Sequence, residues 1–493
     1  MRTIRLKKLL FTIVALFAAS MTSNAQLLVL EGDLYNRDAN GGQGGMECHY
    51  YLYSDRSLVL QAVSTEDKEY FGRFSENNLW VSVSTSKNDG FKNLMNNRNV
   101  VEKIIVSTGI KNLGHQVIGY SNALGIFFPN LKSVEIDPDF EGEIPSEFLK
   151  DFTTLESVTF YQKNVTIGQY AFSGCKALKS FYALQGISSI GSGAFSGCSS
   201  LETFSLPSNN SLTTTPSSYA FNNCDNLKYI DLRNASFTQC VDIGVPDHTM
   251  LYLPSDCSIW RTYNVIVDGQ CKECRFYEGK ATGFADKFTA DKVTYDRTLD
   301  AERLYTVCLP YVKKQDGWKY YTMKKVEGTT VEFEEVAQDD LKAGDPYIVY
   351  TGTKGGTLGN NASTQVGGLE SRKQWDKYSL QGNFGKTIDA AYLEKNYTKS
   401  DLYILQSDKK WRIYDGTQEG VNIPPFRAFI YTDKGTGAKA LLASDFGDGT
   451  TAIENIRTIG KDGSEQWFDL QGRRIDAPRK GINIVNGKKV IIK

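Results

Sequence analysis

The cysteines are the residues of this sequence whose type and spacing first suggest chemistry. The 493-residue chain has nine, and Cys271 and Cys274 are separated by two residues, a spacing found in zinc sites and in redox-active dithiols. A zinc site needs a second ligand pair, and the chain has only three histidines, His49, His115 and His248. A redox pair of this kind lies in a βαβ context, which the surrounding sequence lacks. These observations favour a chain with no metal site and no cofactor, and a metal site is kept only as an alternative.

The N terminus indicates the compartment in which these thiols reside. Residues 1–25 resemble a secretory signal peptide, with four basic residues before an apolar core, Leu9–Ala19, and a small-residue cleavage site at Ser23-Asn24-Ala25. The apolar core is too short to span a bilayer, and no later apolar run approaches 18 residues. The sequence predicts a secreted or outer-surface protein with no membrane insertion after removal of the signal.

Export favours disulfide formation. We expect one structural disulfide among Cys240, Cys257, Cys271 and Cys274, with reduced structural cysteines or a metal site as the alternatives. Because nine is an odd number, at least one thiol is free or bonded to another chain.

Three other cysteines belong to an internal repeat. Residues 166–178 (TIGQYAFSGCKAL) recur 23 residues later as residues 189–201 (SIGSGAFSGCSSL). A fixed period of about 20–30 residues is typical of leucine-rich solenoids, whose coils bury their apolar faces against one another. The leucines that anchor the repeat are spaced by 24, 23, 23 and 26 residues: Leu131, Leu155, Leu178, Leu201 and Leu227.

The positions around each leucine predict an inward and an outward face. Apolar residues three and five positions after the leucine alternate with polar ones, which indicates a β-strand. The cysteines three positions before the leucine share their slot with Phe128 and Phe152, so we interpret that slot as core. Phenylalanines six positions before the leucine are predicted to be core as well. These two sets are Cys175, Cys198 and Cys224, and Phe172, Phe195 and Phe221.

The outward strand positions are the candidate ligand-binding site. They lie two and four residues after each leucine and are mostly small and polar, with two tyrosines near one end. We select Thr159, Tyr182, Ser205, Tyr229 and Asp231 as candidate ligand-binding residues. One position after each leucine the charge alternates in sign, which predicts ion pairs between neighbouring coils: Lys132, Glu156, Lys179, Glu202 and Lys228.

The I-G-x-x-A-F-x-x-C-x-x-L pattern resembles the BspA-like leucine-rich-repeat family of surface proteins of the Bacteroidetes. The resemblance extends over about residues 101–268, although Val117-Ile118-Gly119 keeps only the first two residues of the pattern. It implies an extracellular adhesive or ligand-binding protein, because some members bind host matrix proteins, and it brings no catalytic residue.

The remaining segments predict a mainly β protein with some α, in which the solenoid is followed by an antiparallel β sandwich or barrel. Residues 26–100, with strands expected at Tyr50–Val63 and Leu79–Val83, form an N-terminal β-rich cap, and residues 101–270 form the solenoid. Residues 275–450 contain short strands and turn signals, including a hairpin around Glu327-Gly328-Thr329. We expect Trp318, Trp375 and Trp411 to be core, with a sugar-binding platform as the alternative. Asp445-Phe446-Gly447 is predicted to be a linker.

Residues 451–493 predict a short C-terminal module. Asn486-Gly487 is a two-residue hairpin turn signal between apolar strands. The segment resembles C-terminal sorting modules of exported Bacteroidetes proteins, and a merely stabilising hairpin is the alternative.

Composition narrows the function. Lys and Arg total 56 and Asp and Glu total 57, so no global field favours nucleic acid. No G-x-S-x-G, H-E-x-x-H or Cys/His signature is found. The sequence therefore predicts a non-enzymatic adhesin or ligand-binding protein whose partner is a host or matrix protein or a glycan; the alternative is carbohydrate binding through residues 275–450.

Overall fold

The computed structural model places two compact units, residues 1–268 and residues 269–493. The residues that the structure describes are 27–37, 43–62, 93–94, 96–106, 128–137, 143–255, 257–327, 330–368, 371–397, 401–407, 409–414, 416, 421–432, 442–446, 467–468, 474–475, 481–485 and 488–492. The predicted signal peptide, the predicted strand at Leu79–Val83 and Val117-Ile118-Gly119 lie outside them. No described helix is long and apolar enough to cross a membrane.

The first unit consists of strands joined by turns, with a short 3-10 helix at Arg98–Val100. The strands are β1 Leu28–Arg37, β2 Gln43–Tyr53, β3 Ser57–Ala62, β4 Lys103–Val106, β5 Ser133–Ile136, β6 Ser157–Ile167, β7 Ser180–Ile190, β8 Thr203–Ser205, β9 Tyr229–Asp231, β10 Gln239–Cys240, β11 Met250–Leu253, β12 Ser258–Ile259 and β13 Val265–Val267.

The repeat strands stack in parallel, one strand per coil. Strands β4 to β7 pair in sequence order, with the predicted inward positions in register: Val134 pairs with Val158, and Val158 with Phe181. Strand β9 pairs in parallel with β8 and with β11, and β11 pairs with β13. The predicted solenoid of parallel coils is therefore confirmed.

The inward face is the core that the repeat spacing predicts. The leucines, cysteines and phenylalanines of the repeat belong to one buried cluster. The ring of Phe195 stacks between those of Phe172 and Phe221, with centroid distances of 5.5 and 5.3 Å. A single coil could not bury these rings, so the coils stabilise one another.

Each repeat coil turns through two residues in the left-handed backbone region. The first position holds Glu147, Tyr170, Gly193 and Tyr219, with φ between 56° and 61°. The second holds Asp151, Gly174, Gly197 and Asn223, with φ between 58° and 77°. Glycine adopts this conformation freely and other residues adopt it at a cost, so the glycines of the repeat occupy a turn that other coils build with larger residues.

The N-terminal strands cover one end of the stack. Strands β1, β2 and β3 pair antiparallel, and β3 then pairs in parallel with β4. Tyr50, Leu52, Leu58 and Leu60 belong to the same buried cluster as the repeats. These strands therefore shield apolar side chains that the first coil would otherwise expose.

The second unit is also built mainly from strands, with a helix at Ala390–Asn396 capped by the Asp389 carboxylate and a 3-10 helix at Gln338–Asp340. The strands are β14 Gln270–Phe276, β15 Phe288–Tyr295, β16 Thr298–Leu299, β17 Leu304–Cys308, β18 Lys319–Glu327, β19 Thr330–Val336, β20 Pro346–Tyr350, β21 Gly356–Thr357, β22 Thr364–Val366, β23 Arg372–Trp375, β24 Tyr378–Asn383, β25 Asp401–Leu405, β26 Lys410–Ile413, β27 Arg427–Thr432, β28 Leu442–Asp445, β29 Trp467–Phe468, β30 Arg474–Ile475, β31 Gly481–Val485 and β32 Lys488–Ile492.

A ten-stranded sheet dominates this unit, in the order β17-β20-β18-β19-β28-β26-β25-β27-β24-β23. Its pairings are antiparallel except that between β19 and β28. Side chains from both halves of the sheet, such as Ile348 and Ile430, share one core, so the sheet curls around it. The predicted antiparallel sheets and the hairpin β18–β19 are confirmed.

Two predictions in this unit need correction. Trp318 and Trp411 are buried as expected, but Trp375 is 45% exposed because it lies at the end of edge strand β23. The predicted linker at Asp445-Phe446-Gly447 is wrong for its two described residues: β28 ends at Asp445, and the Phe446 ring stacks on Phe333 at 5.3 Å within the core. Gly447 lies outside the described residues.

A four-stranded sheet forms near the C terminus, in the order β30-β29-β31-β32. Strands β31 and β32 form the predicted hairpin, with Val485 opposite Lys488. The residues between them, Asn486 and Gly487, lie outside the described part of the chain.

Candidate binding face

The sequence-selected residues lie on the outward side of the repeat strands. Thr159 on β6 pairs with Tyr182 on β7. The Tyr182 side chain is 52% exposed, whereas its neighbours Phe181 and Ala183 are buried. The strand alternation thus presents the Tyr182 ring to solvent while its neighbours fill the core.

The other three selected residues belong to a second group. Ser205 on β8 pairs with Asp231 on β9, and Tyr229 lies two residues before Asp231. The sheet that contains β7 ends at that strand, and β8 begins the next set of paired strands. The five residues therefore form two groups instead of one continuous ladder.

The second group is held by contacts within the unit. The Asp231 carboxylate forms an ion pair with Arg233 at 2.7 Å, and the Arg233 guanidinium lies 5.0 Å from the centre of the Tyr252 ring. Tyr229 meets Tyr252 edge-on, with centroids 6.3 Å apart. Tyr229 and Asp231 are thus held in place by other side chains of the unit. Of the two tyrosines among the selected five, Tyr182 is the more exposed.

Sequence reasoning missed two residues beside Tyr182. Strands β6 and β7 each extend over 11 residues, and the alternation continues past the segment used for prediction. It places Tyr161 on β6 and Leu184 on β7 outward, with exposed fractions of 37% and 49%. We define Tyr161, Tyr182 and Leu184 as the apolar patch. Continuing the period-two pattern beyond Phe160 would have revealed it.

Two ion pairs of the predicted set join neighbouring coils, and Lys132 pairs with a residue outside that set. Lys179 contacts Glu156 at 2.7 Å, and Lys228 contacts Glu202 at 2.7 Å. Lys132 pairs with Glu102 at 2.9 Å, and hydrogen bonds from Lys132 and then Arg56 lower the pKa of the Glu102 carboxyl. These charges largely neutralise one another.

The cysteines are structural. All eight described cysteines are buried and none of them forms a disulfide. The disulfide expected among Cys240, Cys257, Cys271 and Cys274 is therefore absent from the described residues, and that prediction is wrong. Cys271 and Cys274 lie on one strand, β14, and Cys274 is in its core-facing row. Burial raises the pKa of the Cys274 thiol well above its ordinary value. Among the described residues, no three His, Cys, Asp or Glu side chains are grouped to hold a metal ion.

The structure defines the class of protein. Parallel strands, one per coil of 23–26 residues in its repeated part, enclose a ladder of leucine and phenylalanine and present a polar outer face, which is a leucine-rich-repeat solenoid. Residues 142–241 match the BspA type leucine rich repeat region in six copies. The repeats of this chain are therefore of the BspA type.

Comparison with solved structures finds two similar bacterial proteins. A leucine rich cell surface protein from Faecalibacterium prausnitzii A2-165 is 15% identical, with 54% of this chain and 59% of that chain covered and a TM-score of 0.28. A leucine-rich repeat protein from Bacteroides ovatus ATCC 8483 is 16% identical, with 37% of this chain and 51% of that chain covered and a TM-score of 0.19. The chain thus spans little more than half the length of either protein. No curated protein matches the sequence.

Proposed function

We propose that this chain is a non-enzymatic adhesin or ligand-binding protein, secreted or held at the outer cell surface, that binds a protein or glycan partner through the outward face of its solenoid. The BspA-type repeats support this function, since leucine-rich-repeat proteins generally bind other proteins. The signal-peptide composition of residues 1–25 supports export.

The apolar patch is the observation that carries the proposal. Tyr161, Tyr182 and Leu184 are all exposed, although most large apolar side chains of the unit are buried. Tyrosine and other apolar side chains commonly anchor protein interfaces, because they bury much area at a small entropic cost. Surrounding charges such as Lys179 and Glu156 already have partners within the solenoid. Binding of a partner to the patch would therefore bury exposed apolar surface without breaking an existing ion pair.

The test compares binding of the mature chain and its variants to immobilised matrix proteins, mucins and glycans. We expect the double variant Tyr182→Ala/Leu184→Ala to lose at least tenfold in affinity, about 1.4 kcal/mol or more. Tyr219→Asn is the matched control, because Tyr219 is 59% exposed but lies in a turn instead of on a strand. Unchanged binding by the double variant, at unchanged melting temperature, would remove this face from the mechanism.

A second candidate function is carbohydrate binding through residues 275–450. Trp375 supports it, because an exposed indole at a hairpin can stack on a sugar ring. Glycan-array binding by the full chain that disappears in Trp375→Ala would favour this site. Binding that depends on Tyr182 and not on Trp375 would favour the solenoid.

Residues 451–493 are proposed to serve as the sorting or attachment module. The supporting feature is the hairpin β31–β32, which closes a small separate sheet. Deletion of residues 451–493 is expected to move the protein from the cell surface to the periplasm or medium, measured by fractionation and surface labelling.

A further inference from the structure

Arg297 is a cation of the second unit that forms no ion pair with any residue in the described part of the chain. Its guanidinium lies 5.7 Å from the centre of the Tyr305 ring. Its Nη1 atom is buried and donates no hydrogen bond to any acceptor among the described residues. A guanidinium carries five N–H donors in a planar fork, so the Arg297 fork has donors available for an incoming group.

The nearby carboxylate is already engaged by another arginine. Arg427 forms an ion pair with Glu278 Oε1 at 2.5 Å. The Tyr295 hydroxyl donates to Glu278 Oε2 and accepts a hydrogen bond from Arg427 Nη1 at 3.3 Å. Both oxygens of Glu278 therefore have partners. Two arginines share this region with one glutamate, which leaves an excess of positive charge.

Other acidic groups near Arg297 in the sequence do not supply the missing charge. Asp300 forms its ion pair with Arg303, at 3.2 Å. Among the described residues, neither Asp296 nor Asp300 forms an ion pair with Arg297.

The electrostatics of the site agree with its geometry. Burial first, and then the neighbouring Arg427 charge, lower the pKa of Arg297 to about 10. Arg297 still carries its charge at neutral pH. Burial raises the pKa of the Tyr295 hydroxyl to about 12, so that group contributes no negative charge. A partly desolvated cation without a partner is unfavourable, and an anion bound beside it would relieve that cost.

We propose that Arg297, with the ring of Tyr305 on one side and Arg427 nearby, forms an oxyanion-binding site for a sulfate, phosphate or carboxylate group. A planar fork held against an aromatic ring is pre-organised for two parallel hydrogen bonds to such a group. The anion can be free in solution or carried by an acidic sugar. This site is independent of the apolar patch of the solenoid.

Calorimetric titration of the full chain at constant NaCl concentration tests the proposal. The probes are inorganic sulfate, inorganic phosphate, acetate, glucuronate and a sulfated monosaccharide. We expect saturable binding of at least one probe with one site per chain. Tighter binding of the sugar probes assigns the site to an acidic glycan, and equal or tighter binding of the inorganic ions assigns it to a free anion. Absence of saturable binding by all five probes would overturn the proposal.

Variants separate a binding role from a structural one. Arg297→Gln is expected to weaken binding at least tenfold, and Arg297→Lys, which keeps the charge but lacks the fork, is expected to weaken it as well. The matched control, Arg372→Gln, removes an exposed arginine from β23 and should bind normally. In buffer without oxyanions, Arg297→Gln should melt at the same temperature as the wild type or higher. A loss of several degrees there, or unchanged binding by Arg297→Gln, would contradict the proposed site.

Discussion

The Sγ atom of Cys198 lies 3.2 Å from the carbonyl oxygen of Phe172, in the preceding coil, and donates its S–H to that oxygen. The same contact recurs along the stack. Cys175 donates to the carbonyl of Leu149 at 3.0 Å, and Cys224 donates to that of Phe195 at 3.2 Å. Each thiol fills a core position and also gives a second hydrogen bond to a backbone carbonyl that already accepts one from its own coil.

This thiol ladder predicts lower stability at alkaline pH. Burial raises the pKa of Cys224 from 9.0 to about 12, and burial also raises the pKa of Cys175 and Cys198. Above about pH 9 the thiols of the unfolded chain ionise while those of the folded chain stay protonated. The unfolded chain then binds fewer protons, so the free energy of unfolding falls as pH rises toward 12. Each thiol contributes up to about 1.4 kcal/mol per pH unit.

Urea titrations between about pH 8 and pH 11 measure this slope. Cys198→Ala should show a shallower fall than the wild type, because one raised thiol is gone while the other titrating groups are unchanged. Parallel pH profiles for the two proteins would contradict the thiol ladder.

The phenylalanine stack predicts a large stability loss on truncation. Phe195→Ala removes a ring that contacts Phe172 and Phe221, and we expect a loss of about 3–5 kcal/mol in the free energy of unfolding. Phe195→Leu, which keeps most of the volume, should lose less. Thermal and urea unfolding provide the measurement, and a melt of Phe195→Ala that matches the wild type would show that the ring is not in the core.

The close approach of successive coils predicts that Gly191 tolerates no side chain. A Cβ atom at Gly191 would lie 2.7 Å from the backbone nitrogen of Gln169, whereas one at Gly197 would lie 3.5 Å from its nearest neighbour, Gly174. We expect Gly191→Ala to lose about 3 kcal/mol, at the upper end of overpacking costs. Gly197→Ala should lose about 1–2 kcal/mol from its left-handed backbone. Unfolding curves that rank the two variants in the opposite order would refute this packing.

The ion pairs between coils should affect stability and not binding. The side chains of Lys179 and Glu156 are each about half exposed, so Lys179→Met should lose about 0.2–1 kcal/mol at low salt and less at high salt. Lys176→Met, an exposed lysine of the same coil, is the control. Melting temperatures at two NaCl concentrations and the binding assay measure both effects. A salt-independent loss, or lost binding, would give Lys179 a different role.

The repeat spacing was sufficient to predict the stacked core. Leucine, phenylalanine and cysteine recur at fixed offsets, and only inward positions demand large apolar residues in every coil. The outward face was harder to predict. Tyr161 and Leu184 lie within strands β6 and β7, beyond the segment that the repeat pattern identifies as a strand, and no turn signal in the sequence marks how far these strands extend. The separation of Tyr182 from Ser205 into different sheets depends on backbone alignment, which side-chain patterns do not encode.

The spacing of residues in the sequence does not predict contacts between segments that are far apart along the chain. Four cysteines with spacings suited to a disulfide form none among the described residues, because pairing depends on where the sulfur atoms lie in space. The cluster around Arg297 draws Glu278, Tyr295 and Arg427 from three separate segments. Left-handed turns at Glu147 and Tyr170 were equally hidden, since neither residue type favours that conformation.

The backbone turns that join one coil to the next make the number of coils adjustable. A deletion of 23 residues, from Thr166 to Ser188, would place the coil that contains Phe195 directly after the one that contains Phe148. The coil that contains Phe195 would then contact backbone carbonyl oxygens and a phenylalanine ring of the same kind as those that it contacts in the present structure. Duplication of the same 23 residues would likewise insert one more coil without any new type of contact. Changes in the number of repeats encoded by the gene can therefore lengthen or shorten the solenoid while its fold is kept.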